Sequence, residues 1–189
     1  MTEPANQTFQ TALVAAIPNL RAFAISLCGN VQTANDLVQE TMLKAWANRH
    51  RFEEGSNFKA WLFTILRNSY FSDFRRGKRE VRDEDGIAAA SLSSLPEQHG
   101  HMDMIDFQRS LAQLSEDQKE ALILVGAEGF SYEETAEICG CAVGTIKSRV
   151  NRARARLVEL MGVGSSEDFG PERVSQAVMS KAAMSKAAQ

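Results

Sequence analysis

Apolar residues keep a helical rhythm along most of the chain. Phe9, Leu13, Ala16, Leu20, Phe23 and Leu27 recur at steps of three and four, the spacing that lines one stripe of an α-helix. Pro18 removes a backbone donor inside this run and predicts two short helices, the second stopped by Gly29 and Asn30. Thr33 is the predicted N-cap of the next helix, with Asp36 in its first turn and an end near Asn48. Ala34, Leu37, Val38, Met42, Ala45 and Trp46 form its apolar side, and Asp36, Gln39, Glu40, Leu43 and Lys44 the opposite one. A face of the latter kind is most often solvated; it also suits the docking of a basic partner.

The polar stretch Arg49 to Asn57, hinged at Gly55, reads as a loop. Phe58, Trp61, Leu62, Ile65 and Leu66 then make a core stripe. Phe63, Arg67, Tyr70 and Phe74 follow the same helix, with Asn68, Arg75, Arg76, Lys78 and Arg79 nearby. An aromatic stripe is usually core, but aromatic faces interleaved with cations also suit the unstacked bases of a single strand. From Gly77 to His101 the periodicity fails, and the segment is too long to be a tight connection inside one compact domain. Its acidic cluster, Asp83, Glu84 and Asp85, is most often solvation. The rhythm resumes at Phe107, Leu111 and Leu114. Ser115 with Gln118 and Ser131 with Glu134 have the spacing of capping boxes, while Gly126 and Gly129 end the helix between them.

Ser131 to Leu160 reads as a short helix, a turn at Cys139, Gly140 and Cys141, and a longer helix with two unlike faces. Val143, Ile146, Val150, Ala153, Leu157 and Leu160 make one stripe. Thr145, Lys147, Ser148, Arg149, Asn151, Arg152, Arg154 and Arg156 make the other, a face that suits the DNA major groove. Ala142 stands at the N-cap, where a serine or threonine would stabilise the helix by about 1 kcal/mol. The expected fold is all-α: two small helical domains, residues 1–76 and 103–162, joined by a flexible acidic linker over 77–102. A tail over 163–189, in which MSKAA occurs twice, is expected to be disordered.

Composition narrows the function classes. The 189 residues are 44% hydrophobic, as in a folded protein. The longest apolar runs fall short of the roughly 18 to 20 residues of a membrane span, so a cytoplasmic location and no membrane association are expected. Three cysteines are an odd count and read as reduced thiols. Cys139 and Cys141 with His99 and His101 form only a weak zinc pattern, and packing of the turn is the better reading; no metal and no cofactor are expected. A net charge of −3 argues against coating DNA by charge alone and favours binding inside a larger assembly. No glycine-rich phosphate loop and no nucleophile beside a histidine motif are present, so no enzyme is expected.

Three segments carry a resemblance. NDLVQETMLKAW (Asn35 to Trp46), FKAWLFTILRNSYFSDFRR (Phe58 to Arg76) and GTIKSRVNRARARL (Gly144 to Leu157) together resemble the extracytoplasmic-function sigma factors, the two-domain kind of bacterial initiation factor. The resemblance spans about residues 8 to 161. RFEEGSN followed by KAWLFTILRN, and EALILVGAEGFSYEETAEICGCAVGTIKSRVNRAR, resemble more narrowly the general-stress-response subgroup, EcfG.

That resemblance implies roles. Asp36, Gln39, Glu40, Leu43 and Lys44 would dock on the beta-prime clamp helices of RNA polymerase. Arg49, Phe52, Ser56, Asn57, Arg67, Asn68, Tyr70, Phe74, Arg75 and Arg76 would melt and hold the −10 element. Lys147, Ser148, Asn151 and Arg152 would read the −35 element, with Thr145, Arg149, Arg154 and Arg156 on phosphates or flanking positions. The implied partners are core polymerase, through its beta-prime clamp and beta flap, promoter DNA, and an anti-sigma protein that covers both domains; a monomer is expected without them. The implied function is promoter recognition, strand opening and initiation at stress-response genes. Two other readings are an ordinary helix-turn-helix regulator, which explains only the second domain, and a sigma-like mimic that sequesters an anti-sigma protein. The basic helix face and the lack of a receiver segment argue against the mimic.

Overall fold

The computed structural model describes residues 3–83 and 102–161, with side chains described for 7–75 and 107–161. Among the described residues the regular structure is all helical, in two bundles. The first contains α1 (Glu3–Ala15), α2 (Ile17–Cys28), α3 (Val31–Ala47) and α4 (Phe58–Asp83), with a 3-10 turn at Arg49–Arg51. The second contains α5 (Met102–Ala112), α6 (Glu116–Gly126), α7 (Tyr132–Cys139) and α8 (Val143–Met161).

Local chemistry sets these boundaries. The break between α1 and α2 falls at Ala16, and Pro18 lies in the first turn of α2, where its missing N–H costs nothing. Gly29 ends α2 in the left-handed region, at φ 69°, and its N–H donates to the Ile25 carbonyl. The N-cap of α3 is Asn30, not Thr33. Leaving the left-handed Gly29, Asn30 is extended, and its side-chain oxygen accepts the Thr33 N–H at 3.1 Å. α4 continues past Gly77 to Asp83, beyond the end predicted near Arg76. The residues there include lysine, arginine and glutamate, good helix formers, and no proline. Glu84, Asp85, His99, His101 and the MSKAA repeats lie outside the described residues.

The first core is built on Leu20, Phe23, Ile25, Leu62, Phe63 and Leu66, all fully buried. Each such side chain contributes about 1.5–3 kcal/mol by leaving water. Phe9, Phe52, Phe58 and Trp61 form an aromatic cluster beside it, with ring centroids 5.0 to 6.4 Å apart. Trp46 departs from the apolar face predicted for it. It is 39% exposed, with its ring tilted against Phe9 at a centroid distance of 6.2 Å and the Arg49 guanidinium 4.8 Å from its centroid.

In the second bundle Ser115 and Ser131 both form complete capping boxes, with Gln118 and Glu134 bonding back. The second half of α6, from Ala121 to Gly126, is apolar on every side, so Leu122, Ile123 and Leu124 are fully buried, and Lys119 and Glu120 just before them are buried too. Gly140, at φ 63°, turns the chain between α7 and α8. Ile146, Val150, Ala153 and Leu157 bury the packing stripe of α8. At its start the Ala142 carbonyl accepts the Thr145 and Ile146 N–H groups, and no capping side chain is available. Cys139 belongs to this core. Burial, aided by the Glu120 charge, pushes its thiol up to about 12, the behaviour of a packed thiol. The two bundles also touch, α4 against α7 and α2 against α6.

Candidate functional site

Three surfaces collect the residues singled out in the sequence. The first lies between α1, α2 and α3. Leu13, Val14, Ile17, Val38, Met42, Leu43 and Trp46 line an open groove of about 710 Å³, edged by Gln10, Arg21, Asn35 and Gln39. Leu43 is 72% and Val14 55% exposed, so a concentrated apolar patch faces solvent. Asp36 is exposed beside it and accepts from Gln32 at 3.4 Å. Glu40 pairs with Lys44 one turn on. Lys44 itself turns away from the groove, and its Nζ donates to Ser69 Oγ of α4 at 2.9 Å. The predicted docking set is therefore divided, with Gln39 and Leu43 at the groove and Lys44 on the far side.

The second surface is the α3–α4 edge with the preceding loop. Lys44, Asn48, Arg51, Trp61, Ile65, Asn68, Ser69 and Ser72 line a polar pocket of about 380 Å³, with the Trp61 ring as its apolar wall. Asn68 is exposed there. Asn48, Arg51 and Ser72 are lining residues that sequence reasoning did not single out, because each stands one at a time in a loop or at a helix edge and has no periodic signal. Arg49 Nη1 donates to the Trp46 carbonyl at 2.9 Å. Phe52 belongs to the aromatic cluster, and the Ser56 hydroxyl donates to the Glu53 carbonyl at 2.7 Å. Phe74 is 47% exposed and stacks on Tyr70, with centroids 6.1 Å apart. The exposed Arg75 donates to the Phe71 carbonyl at 3.0 Å. The side chain of Arg76 lies outside the described residues.

Three members of the same set face the second bundle instead. Asn57 accepts the Ala60 N–H at the start of α4, and its Nδ2 donates to Glu134 Oε1 at 2.7 Å. Arg67 Nε is 2.7 Å from Glu120 Oε1. The Tyr70 hydroxyl donates to Glu116 Oε2 at 2.8 Å. Burial and the adjoining Glu116 carboxylate hold that phenol well above its ordinary range. Burial also raises the Glu120 carboxyl, and Arg67 only partly offsets it. Glu134 moves the other way, lowered by the Ser131 N–H and by Asn57. Lys59, Glu116, Glu120 and Glu128 were missed in the sequence. One signal was available: Glu120 lies beside an apolar run that leaves little room for a solvated side.

The third surface is the free side of α8. Thr145, Lys147, Asn151, Arg152 and Arg156 are exposed, and Ser148, Arg149 and Arg154 are half-buried. Lys147 Nζ stands 5.9 Å from the Tyr132 ring centroid. Arg149 reaches back to Asp117 of α6 at 2.9 Å, and Arg156 pairs with Glu159 at 2.6 Å. Lys147, Asn151 and Arg152 are left pointing outward on a helix held rigidly by its opposite stripe, which is what base readout requires.

An all-α pair of bundles, one ending in a helix-turn-helix and the other in a long helix that carries aromatic and cationic side chains, is the architecture of a bipartite DNA-binding protein. Residues 13–80 match the family description sigma-70 region 2, and residues 104–157 match sigma-70, region 4. The chain is 56% identical over 176 residues to the ECF RNA polymerase sigma factor EcfG of Rhodopseudomonas palustris, covering 93% of this chain and 97% of that one. It is also similar to the sigma factor RpoE of Bartonella quintana, solved in complex with the anti-sigma factor NepR. That match has a TM-score of 0.77 at 55% identity and covers 84% of this chain and 99% of the other. The anti-anti-sigma factor PhyR of the same organism shares the fold alone, at 17% identity and a TM-score of 0.52, over 79% of this chain and 49% of its own. The chain belongs to the extracytoplasmic-function sigma factors of the sigma-70 family, non-enzymatic factors of transcription initiation.

Proposed function

We propose that this sigma factor grips promoters at two places and docks on polymerase at a third. The outward face of α8, with Lys147, Asn151 and Arg152 exposed, carries the reading of the −35 element. Lysine and arginine donate to guanine edges and asparagine pairs with adenine. The −10 strand is assigned to the loop after α3 and the free edge of α4. The polar pocket at Asn48, Arg51, Trp61 and Asn68 suits one unstacked base, with the Trp61 ring as an apolar wall and amides for its edge. Flipping a base costs a few kcal/mol, which binding at both elements supplies. The apolar groove beside α3, with Gln39 and Leu43 on it, is assigned to the beta-prime clamp helices, and the second bundle to the beta flap.

The chain itself supplies no catalytic group in this reading; it acts in the cytoplasm, where the polymerase does the chemistry. Similarity to EcfG and to a relative solved with NepR supports a general-stress role under a small anti-sigma protein. The single observation that carries the proposal is the exposed basic face of α8. Transcription reconstituted with core polymerase and a promoter library tests it. Lys147→Ala with Arg152→Ala removes two base contacts worth about 1–3 kcal/mol each and is expected to lower promoter-directed transcription by more than about tenfold. Full transcription by this variant would remove the −35 role from this face, whereas a wild-type chain that binds its partner but directs no transcription would favour the interaction-mimic reading.

A further inference from the structure

The resemblance implies a phosphate or flanking position for Arg149, yet its guanidinium is engaged within the second bundle. Nη2 donates to Asp117 Oδ2 in the first turn of α6 at 2.9 Å, and Nη1 donates to Cys141 Sγ in the turn before α8 at 3.8 Å. The Arg149 side chain is only 23% exposed, so it lies along the bundle instead of reaching into solvent. It stands one helical turn from Ile146 and Ala153, at the flank of the buried stripe, while Lys147 and Asn151 lie on the far side of the exposed face. One arginine thus ties together the start of α6, the turn and α8. Asp117 is a firm anchor, because the Ser115–Gln118 capping box fixes the turn that carries it.

The start of α8 has little else to hold it. Ala142 offers no capping oxygen, and Gly144 in the first turn has no side chain; a Cβ there would meet nothing within 4 Å. The fully buried stripe begins only at Ile146, and Val143 before it is half-buried. Packing therefore anchors the later turns of α8 more firmly than the first ones, where Lys147 and Ser148 lie. We propose that Arg149 is a positioning residue: clasped by Asp117 and Cys141, it sets the start of α8 so that the neighbouring side chains meet base edges in register. The inference rests on the assignment of α8 to the −35 element. An arginine held this way adds no phosphate contact. It sharpens discrimination between sequences instead, because a base contact displaced by more than about 0.5 Å loses its geometry.

The test uses holoenzyme assembled from the full chain and core polymerase. Two fluorescein-labelled duplexes are compared: a promoter that the wild type selects from the library, and the same promoter with its −35 element scrambled. Anisotropy over a range of salt gives the affinity ratio between them and the salt slope of binding. Asp117→Ala and Arg149→Ala are each expected to lower the ratio about fivefold, the lower end of one base contact, with the salt slope unchanged. Asp117→Glu is expected to keep the wild-type ratio, and the double alanine variant to lose no more than either single one. Asp117→Ala is decisive, since it makes the chain less acidic and simple electrostatics predicts tighter binding to both duplexes. A variant that merely folds less well loses affinity for both alike and leaves the ratio unmoved. An unmoved ratio in Asp117→Ala, additive losses in the double variant, or a slope reduced by about one in Arg149→Ala, as loss of a phosphate contact requires, would each overturn the positioning role. A wild-type ratio in Lys147→Ala with Arg152→Ala would instead overturn the assignment of α8 itself.

Discussion

Gly140 occupies φ 63° between α7 and α8, and a Cβ built there meets nothing within 4 Å. The cost of Gly140→Ala is therefore purely one of backbone conformation, about 1 kcal/mol. Calorimetry should show the second bundle melting about 4–8 °C lower with α8 otherwise intact. Glu120 gives a pH signature. Its carboxyl is raised above the ordinary value of 4.5, first by burial, with Arg67 pulling the other way. Stability from such a group is fully present below its unfolded pKa and is lost as pH rises through the folded one. The advantage of wild type over Glu120→Gln, followed by denaturant unfolding, should shrink as pH is raised from about 4. An advantage that grows with pH would mean that the Arg67 pair outweighs burial. Single residues were unevenly legible. Ser115 and Ser131 announce their caps because the partner lies three residues along, within the same turn. Asn30 and Thr33 are both capping types, and only the left-handed backbone at Gly29 decides between them.

Among the elements, α8 was the most legible, because one face packs locally and the other is basic; periodicity alone separates them. α3 was legible on its buried side only. Trp46 keeps the helical phase of the core yet ends at its edge, since the loop after α3 carries Arg49 over its outer face. The exposed side of α3 makes a direct prediction. Asp36→Arg with Glu40→Arg reverses two charges on the solvent side of α3, next to the groove-lining Asn35 and Gln39 in sequence, without touching a buried side chain. Association with core polymerase, followed by gel filtration or surface plasmon resonance, should weaken by about tenfold or more while the helical signal is unchanged. Unaltered association would remove α3 from the docking surface. The linker and tail contributed only composition, and α4 outran its predicted end because loss of apolar periodicity marks loss of packing, not loss of helix.

For the whole molecule, the contact between bundles is what no local pattern revealed. Glu116, Glu120, Glu128 and Glu134 scatter over α6, α7 and the turn between them, and their partners lie in another part of the sequence. Sequence spacing reports neighbours within a helix; it is blind to charge pairs joined only by tertiary packing. The net charge of −3 averages over this segregation: Lys147, Arg152 and Arg156 are exposed on α8, whereas Glu120 and Glu128 are buried where the bundles touch.

Trp46 and Trp61 are the only tryptophans in the chain, and both belong to the first bundle. Tryptophan emission, excited selectively over tyrosine, is therefore blind to the second bundle and reports the first alone. Trp46, on the wall of the apolar groove and partly open to water, supplies the sensitive part of that signal. A protein seated in the groove would shift its emission to the blue, while duplex DNA held by α8 would leave it unmoved. The chain thus carries a label-free optical means of telling its partners apart.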